Sequence, residues 1–332
     1  METRRLQLLL ELSRLGSMRE VANELGVTTS TVSQQIAVLA REVGTALIEP
    51  DGRLVRLTPA GRRLAERAVT ILAEVEAARL DVDPDAEPVG TLRIAGFATA
   101  IRRTVLPIVA DLARSHPKIR LLIHEHEPNE AFGLLASDAV DLALTYDYTL
   151  APAAFDATVE SIRLWSAPWS LGVPAGESAN RPAEHPASTP AEHPGAIPAE
   201  SSVGRPRDLA LPTTSTGTAR AVFQQFSGHA WITNSRNTAD EDVIRTVASM
   251  AGFEPMITHR ADSLDLVQHL IAADLGVGLL PADQPTFPGI RLLPLTDPDV
   301  TLRAYAVTRR GRADWPPLAL LLGLLIRSEG AL

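Results

Sequence analysis

Small polar side chains are concentrated between residues 29 and 34 of the amino-acid sequence. Hydroxyl and carboxamide groups at the start of a helix can hydrogen bond to phosphates and base edges, and a glutamine can contact adenine through two hydrogen bonds. The alternative is a solvated face of a small helical bundle. The candidate nucleic-acid contacts are Thr29, Ser30, Thr31, Ser33 and Gln34.

Three short helices are predicted to position these side chains. Gly16 ends the first helix, Ser17 and Glu20 form a capping box at the start of the second, and Gly26 ends the second. The third helix has apolar residues at i, i+4 and i+7, which buries one face and leaves the polar face outside. This arrangement is typical of a helix-turn-helix. The predicted helices span 3–15, 18–25 and 28–43, and the buried residues of the third are Val32, Ile36 and Leu39.

A hairpin is predicted after the third helix. Two short apolar segments, 46–49 and 54–57, flank an Asp-Gly turn, which is a strong signal for a β-hairpin. This wing would place Arg53 and Arg56 beside the third helix, where guanidinium groups can reach phosphates or the minor groove.

A long helix is predicted to begin at Thr58 and Pro59, an N-cap followed by a first-turn proline, and to end near residue 80. Its apolar residues repeat with the spacing of a coiled-coil seam, which predicts a dimerisation helix. A helix that packs on its own domain is the alternative. The predicted dimer contacts are Leu64, Ala68, Ile71 and Val75.

Strands and helices alternate from residue 90 onward, which predicts a mostly parallel, doubly wound sheet in two α/β lobes. Ligands bind such sheets at the carboxyl ends of the strands, here 97–100, 125–128 and 146–148. The predicted strands are 91–96, 119–124, 140–145, 231–233 and 277–281, and the predicted helices are 102–115, 129–136, 240–250 and 263–274.

Composition limits the function classes. The 332 residues are 45% hydrophobic and 21% charged, as in a globular protein of about two domains. The chain has no cysteine, which excludes disulfides, thiolate metal sites and a cysteine nucleophile. The net charge is -9, but residues 1–80 carry 11 arginines and 10 acidic residues, so the negative excess falls on the remainder.

Targeting signals and metal sites are not apparent in the sequence. A cytoplasmic protein without membrane contact is therefore expected. The tract 175–207, rich in Ala, Pro, Ser and Glu, is predicted to be a disordered insertion. Its His185 and His193 lack further ligands, and for His124 and His126 a wet strand edge is favoured over a metal site. No metal, cofactor or catalytic residue is expected.

A longer set of residues matches a known family. The set comprises Gly16-Ser17, Ala22, Leu25-Gly26-Val27, Val32-Ser33-Gln34-Gln35-Ile36, Leu39, Gly44, Leu47 and Arg56-Leu57-Thr58-Pro59-Ala60-Gly61. These residues resemble the N-terminal region of LysR-type transcriptional regulators, and the segments 262–264 and 276–281 resemble the late signatures of that family. The chain departs from the family at two places. It has Ala40 where the family usually has Glu, and Ile48-Glu49-Pro50 where the family commonly has Phe-x-Arg. The missing arginine removes one usual contact with the DNA backbone.

The resemblance implies an α+β protein with an N-terminal winged helix-turn-helix, a long linker helix and a two-lobed α/β effector-binding domain of the periplasmic-binding-protein type. The implied partners are double-stranded DNA with an interrupted palindrome, a small-molecule effector between the lobes, and a second copy in a homodimer or homotetramer. RNA polymerase is a further candidate partner. The implied recognition residues are Thr29, Ser30, Thr31, Ser33, Gln34 and Arg53.

Effector contacts are implied after the first strand of each lobe, at helix N-termini that favour anions such as a carboxylate. Arg102 and Arg236 are candidate partners of that carboxylate. The predicted effector-binding residues are Thr99, Ala100, Asn234, Ser235 and Asn237.

Two alternatives are an enzymatic α/β domain and a solute-binding domain, each fused to the helix-turn-helix. The chain lacks nucleophile-elbow, P-loop and zinc-protease motifs, and a solute-binding protein would need an export signal. A ligand-responsive DNA-binding regulator that is not an enzyme is therefore expected. Its expected domains are 1–58 for DNA binding, 59–88 for the linker helix and hinge, and 89–332 for effector binding.

Overall fold

The structure is a computed structural model that describes residues 1–52, 54–83, 86–176, 217–236 and 239–329. These residues belong to two compact units. The first unit comprises Met1–Asp147, Pro152–Ser166 and Leu302–Leu332, and the second comprises Tyr148–Ala151 and Ala167–Thr301. The predicted insertion 175–207 lies outside the described residues from position 177 onward.

The N-terminal part of the first unit is a winged helix-turn-helix, as predicted. Its elements are α1 (Thr3–Leu15), α2 (Met18–Glu24), α3 (Thr29–Val43), β1 (Ile48–Asp51) and β2 (Leu54–Leu57). The three helices bury their apolar faces in one core, and β1 pairs antiparallel with β2 as the wing. β1 begins later than predicted because the Leu47 side chain enters the helical core, where it is buried. We call these five elements the head.

A long helix, α4 (Pro59–Val82), packs directly on the head. Thr58 caps it, since the Gly61 N–H donates to Thr58 Oγ1 at 3.0 Å and the Thr58 hydroxyl donates to the Ala46 carbonyl at 2.8 Å. Gly61 approaches the Leu47 carbonyl so closely that a Cβ atom at this position would overlap it. The glycine therefore sets how near α4 lies to the head.

The remaining elements of both units are strands and helices. In chain order they are β3 (Gly90–Gly96), α5 (Ala98–Ala100), a π-helical turn (Ile101–Val105), α6 (Leu106–Ser115), β4 (Ile119–Glu125), α7 (Pro128–Ala136), β5 (Leu142–Tyr148), β6 (Val159–Pro174), α8 (Ala219–Gln225), β7 (Ala230–Thr233), α9 (Ala239–Ala251), β8 (Met256–Arg260), α10 (Leu264–Ala272), β9 (Val277–Pro281), β10 (Ile290–Pro294), β11 (Thr301–Arg309) and α11 (Pro316–Glu329). Strands and helical segments alternate along the chain, except where β6 follows β5 and where β9, β10 and β11 follow one another. None of the helices in these described stretches is long and apolar enough to cross a membrane.

The first unit contains a sheet with strand order β4-β3-β5-β11, followed by the first part of β6. β3 pairs in parallel with both β4 and β5, so the predicted parallel arrangement is confirmed at these strands. The predicted helix 102–115 is interrupted, because α5 and a π-helical turn precede α6. The first residues after β3 are thereby helical, which shapes the turn where a ligand is expected.

The second unit contains the strand order β6-β9-β7-β8, with β10 also paired with β6. β7 is parallel to β8 and β9, whereas β6 is antiparallel to β9 and β10. The 16-residue strand β6 carries Pro168 in its interior, a residue that argues against a strand in sequence-based prediction. The sequence thus predicted β7 and β9 and left out the parallel strand β8 and the antiparallel strand β10.

Two helical glycines provide a matched test of the packing of α4. Gly61→Ala places a methyl group against the Leu47 backbone, so we expect the free energy of unfolding to fall by about 1–3 kcal/mol. Gly133→Ala, on α7, meets no atom within 4 Å and should raise this free energy by about 0.5–1 kcal/mol. Thermal unfolding of both variants checks the difference. A stabilising Gly61→Ala substitution would contradict the close approach of α4.

Candidate functional site

The polar face of α3 lies outside the core of the head. Val32, Ile36 and Leu39 are each 0% exposed, whereas Ser33 and Gln34 are exposed. Because the buried residues repeat at helical spacing, the intervening polar residues are directed away from the core. The structure therefore presents Ser33 and Gln34 for contact with another molecule.

The first turn of α3 is organised by its capping residue, Thr28. The Thr31 N–H donates to Thr28 Oγ1 at 3.1 Å, and the same oxygen lies 2.8 Å from Ser30 Oγ and 2.8 Å from Thr31 Oγ1. Thr29 and Ser30 are exposed, and Thr31 is half-buried. The hydroxyls of Ser30 and Thr31 are thus oriented by the cap before any partner binds.

The neighbouring glutamine, Gln35, has a different environment. Its Oε1 accepts a hydrogen bond from Arg5 Nε at 2.9 Å, and Arg5 also forms ion pairs with Glu2 and Glu42. Gln35 therefore connects α3 to α1. Gln34 and Gln35 are adjacent in the sequence, and the contact with Arg5 separates their environments.

The wing and α4 carry the other predicted contacts of the N-terminal region. Arg56 is exposed and its Nη2 lies 3.0 Å from Glu49 Oε1 on the facing strand, while Arg53 lies outside the described residues. On α4, the predicted dimer residues divide into two groups. Ala68 is buried, Leu64 and Ile71 pack partly buried against the head, and Val75 is 47% exposed.

Aromatic side chains gather at strand ends of the first unit. The Phe97 ring centroid lies 4.7 Å from that of Tyr146 and 6.4 Å from that of Trp165. The Arg103 guanidinium lies 4.4 Å from the Trp165 ring centroid, and the Tyr146 hydroxyl donates to Glu127 Oε2 at 3.3 Å. Phe97, Glu127 and Tyr146 lie in segments predicted as ligand-binding strand ends, whereas Arg103 and Trp165 lie outside those segments and were missed.

The predicted effector residues of the first unit lie beside this aromatic cluster. Thr99 is half-buried in α5, whereas Ala100 is fully buried and its carbonyl accepts the Thr104 hydroxyl. Asp147, at the end of β5, is already neutralised, since Arg303 Nε and Nη2 lie 2.7 Å from its two oxygens. Of the two predicted residues, Thr99 has the accessible side chain.

The loop after β7 carries the predicted effector residues of the second unit and is held by Asp262. The backbone N–H groups of Ser235 and Arg236 donate to Asp262 Oδ1 at 2.8 and 3.1 Å. The Ser235 hydroxyl and Arg236 Nε donate to Asp262 Oδ2. Burial alone would raise the pKa of Asp262, but these hydrogen bonds outweigh it and lower the pKa below its ordinary value. Asn237 lies outside the described residues.

Asn234 is buried beside a carboxyl group that sequence reasoning missed. This group belongs to Asp240, on α9, and its Oδ1 accepts the Tyr148 hydroxyl at 2.7 Å. Burial raises the pKa of Asp240 to about 6, against the lowering effect of hydrogen bonds from Tyr148 and Asn234, and the charge of Asp262 adds to the rise. Asp240 therefore changes its charge close to neutral pH.

His124 and His126, which the sequence places together near the end of β4, contact each other, and His126 also contacts Glu130. The rings of His124 and His126 stack with centroids 6.4 Å apart, and His126 Nδ1 lies 3.4 Å from Glu130 Oε2. Among the residues that the structure describes, no three His, Cys, Asp or Glu side chains are grouped to hold a metal ion. His185 and His193 lie outside the described residues.

Family models and curated relatives match this chain. Residues 3–62 match the bacterial regulatory helix-turn-helix protein, lysR family, and residues 85–213 and 209–329 match the LysR substrate binding domain. The HTH-type transcriptional regulator CysB of Haemophilus influenzae is 30% identical over 151 residues, which are 45% of this chain and 46% of that protein. A probable hydrogen peroxide-inducible genes activator of Streptomyces viridosporus is 34% identical over 128 residues, 38% of this chain and 41% of that protein. This chain thus spans less than half the length of these two relatives.

Solved structures share the fold at low sequence identity. A full-length OxyR from Pseudomonas aeruginosa superposes with a TM-score of 0.65 at 18% identity, and the match covers 99% of this chain and 94% of the OxyR chain. HinK, a LysR family transcriptional regulator from the same organism, superposes with a TM-score of 0.53 at 18% identity, and the match covers 100% of this chain and 99% of the HinK chain. These likenesses confirm the predicted α+β fold class. Because the substrate-domain model alone matches more than half of the residues, the chain belongs to the LysR family of bacterial regulators.

Proposed function

We propose that this chain is a DNA-binding transcriptional regulator whose DNA binding or promoter activation is modulated by a small-molecule effector. The observation that carries the proposal is the exposed polar face of α3, with Ser33 and Gln34 opposite a fully buried apolar face. Uncharged hydroxyl and carboxamide groups distinguish base pairs by hydrogen bonding in the major groove. Membership of a regulator family supports this function over the enzymatic and solute-binding alternatives.

The proposed DNA contacts divide into base readout and backbone positioning. Gln34 and Ser33 contact base edges, and the hydroxyls of Thr29, Ser30 and Thr31 contact phosphates or bases at the start of α3. Arg56, with Arg53, contacts phosphates from the wing. Two heads in a homodimer bind the two half-sites of an interrupted palindrome.

The proposed dimer contact lies on α4. Val75 leaves about half of its apolar side chain in solvent, which supports a role in contact with a second copy. The packing of Leu64, Ala68 and Ile71 on the head limits how much of the coiled-coil seam remains for a partner. A homotetramer and contact with RNA polymerase are finer assignments of the same proposal.

The proposed effector contacts are Thr99 with the aromatic cluster around Phe97 in the first unit, and Asn234 with Asp240 in the second. An effector alters DNA binding only if its affinity differs between two conformations of the protein. A carboxylate is one candidate class, with Arg102 and Arg236 as its partners. Arg236 is already paired with Asp262, so it would exchange one carboxylate for another.

We further propose a division into 1–58 for DNA binding, 59–88 for linker and hinge, and 89–332 for effector binding, with the protein acting in the cytoplasm where the DNA is. Some relatives are named for induction by hydrogen peroxide. Thiol oxidation is excluded in this chain because it contains no cysteine. We therefore propose an effector that does not react with a thiol of this chain.

Gln34→Ala tests base readout. The full-length protein first selects a preferred duplex from a random library, and fluorescence anisotropy then compares this duplex with a scrambled one. Loss of a contact worth about 1–3 kcal/mol should reduce the preference for the selected duplex by about five- to 150-fold and leave scrambled binding unchanged. Arg56→Ala is the control and should weaken binding to both duplexes by the same factor. Equal losses on both duplexes for Gln34→Ala would contradict base readout.

Val75→Glu tests the dimer contact. Placing a carboxylate in an apolar interface should raise the dimer dissociation constant by about tenfold or more, since burial of a valine contributes about 1.5–3 kcal/mol. Analytical ultracentrifugation across a concentration series measures this change. Glu74→Gln, at the adjacent exposed position, is the control. An unchanged dissociation constant would remove Val75 from the interface.

Asp240→Asn tests the charge change in the second unit. Because the folded pKa of about 6 lies above that of an unfolded aspartate, the folded state holds the proton more tightly, and stability falls as pH rises from about 4 to 6. The asparagine variant lacks this loss. Its free energy of unfolding, relative to that of the wild type, should therefore rise by about 2 kcal/mol between pH 4 and pH 7. Urea unfolding at both pH values measures the gain. The exposed Asp242→Asn, in the same turn of α9, should show no such gain, and equal pH profiles for both variants would be inconsistent with a raised pKa.

A further inference from the structure

A buried carboxylate organises the first unit just before β5. Asp141 is 5% exposed, and its Oδ1 lies 2.8 Å from Arg312 Nη2. Its Oδ2 accepts the backbone N–H of Arg93 at 3.0 Å and lies 3.8 Å from Arg93 Nη1. The Arg312 guanidinium also lies 4.1 Å from the Trp315 ring centroid. Arg93, on β3, is therefore held in place from the sheet side.

The other side of the Arg93 guanidinium contacts the head. Arg93 Nη2 lies 3.6 Å from Glu24 Oε1, and Glu24 is the last residue of α2 in the helix-turn-helix. A carboxylate at the C-terminal end of a helix meets the negative end of the helix dipole, so it gains from cations outside the helix. Arg14 Nη2, at 3.5 Å from Glu24 Oε1, is the second such cation. The ion pair of Glu24 with Arg93 thus connects the head to β3.

The connection between Glu24 and Arg93 lies at a cavity that has both polar and apolar lining residues. The cavity, of about 840 Å³, lies around the pair and is lined by Leu8, Leu72 and Trp315 together with Glu24 and Arg93. The ion pair of Glu24 and Arg93 therefore lies beside open space and not inside a closely packed interface. A second contact lies at one side, where Thr70 on α4 fills the space in front of Gly311 and leaves no room for a side chain there.

We propose that Glu24 and Arg93 form a latch that holds the head against β3, with the contact of Thr70 and Gly311 as the pivot about which the head moves when the latch opens. A partly exposed ion pair changes an equilibrium constant only about two- to fivefold, which suits a contact that must open and close. Arg93 of the latch lies on β3, which ends at Gly96, just before Phe97 of the aromatic cluster. A shift of β3 at that end therefore reaches Arg93 directly.

The link between the latch and an effector rests on the proposed function, whereas the latch itself is tested without DNA or effector. The chain contains no cysteine, so Ser13→Cys on α1 and Ser115→Cys at the end of α6 accept two nitroxide labels at exposed positions of the full-length protein. Dilution with unlabelled chain suppresses signals between subunits. Pulsed electron–electron double resonance then measures the distance between the two labels, one on the head and one on the α/β part of the first unit.

With Glu24 and Arg93 unaltered, the distances at low salt should form a narrow population for the closed head and a smaller, broad population for the open head. Glu24→Gln should lower the ratio of the narrow to the broad population two- to fivefold, and Glu24→Arg, which repels Arg93, should lower it further. High salt should act in the same direction on the unaltered pair, since it screens exposed charges. Glu74→Gln removes a carboxylate from α4 outside the network and is the control.

Identical distributions for the unaltered pair, Glu24→Gln and Glu24→Arg would overturn the latch, whether or not the protein binds DNA. Glu24 is about half exposed, so its variants should fold, and circular dichroism checks this point. Arg93→Gln is the second variant. If the latch exists, combining it with Glu24→Gln should open the head no more than Arg93→Gln alone, because both substitutions break the same pair.

Discussion

The close approach of α4 to the head is the constraint on which the N-terminal structure depends. The buried face of α4 consists mainly of small residues, which lets the helix pack closely against the core of the head. At Gly61 the approach is so close that the Leu47 carbonyl occupies the place of a side chain. This packing fixes α3 and the wing on one rigid support, so the polar face of α3 is presented in a defined direction.

Charge compensation governs the α/β parts of the chain in a similar way. Asp141 is held by Arg312 and Arg93, and Asp147 is held by two hydrogen bonds from Arg303. Asp240 differs, because its hydrogen-bond donors are neutral and its burial raises its pKa to about 6. The group most suited to a change of state is therefore the carboxylate whose hydrogen bonds come from Tyr148 and Asn234.

Local signals were sufficient for most of the head. Gly16 and Gly44 adopt left-handed backbone conformations at the ends of α1 and α3, and Ser17 and Thr28 cap the helices that follow them. Such signals act over a few residues, so the sequence expresses them directly. β6 shows the limit. Its ladder partners β9 and β10 lie more than a hundred residues away in the chain, so local patterns do not give the full extent of this strand.

The amino-acid sequence by itself determined the order of the main elements, the family resemblance and the polar face of α3, because helical periodicity and capping are local properties. Tertiary structure decided which polar residues are available. It directed Gln35 to Arg5 and left Gln34 exposed, packed Ala68 into the head and left Val75 in solvent. It also brought Tyr148 to Asp240 across 92 positions of the chain. Burial and pairing depend on such distant contacts, and no local pattern of residues encodes them.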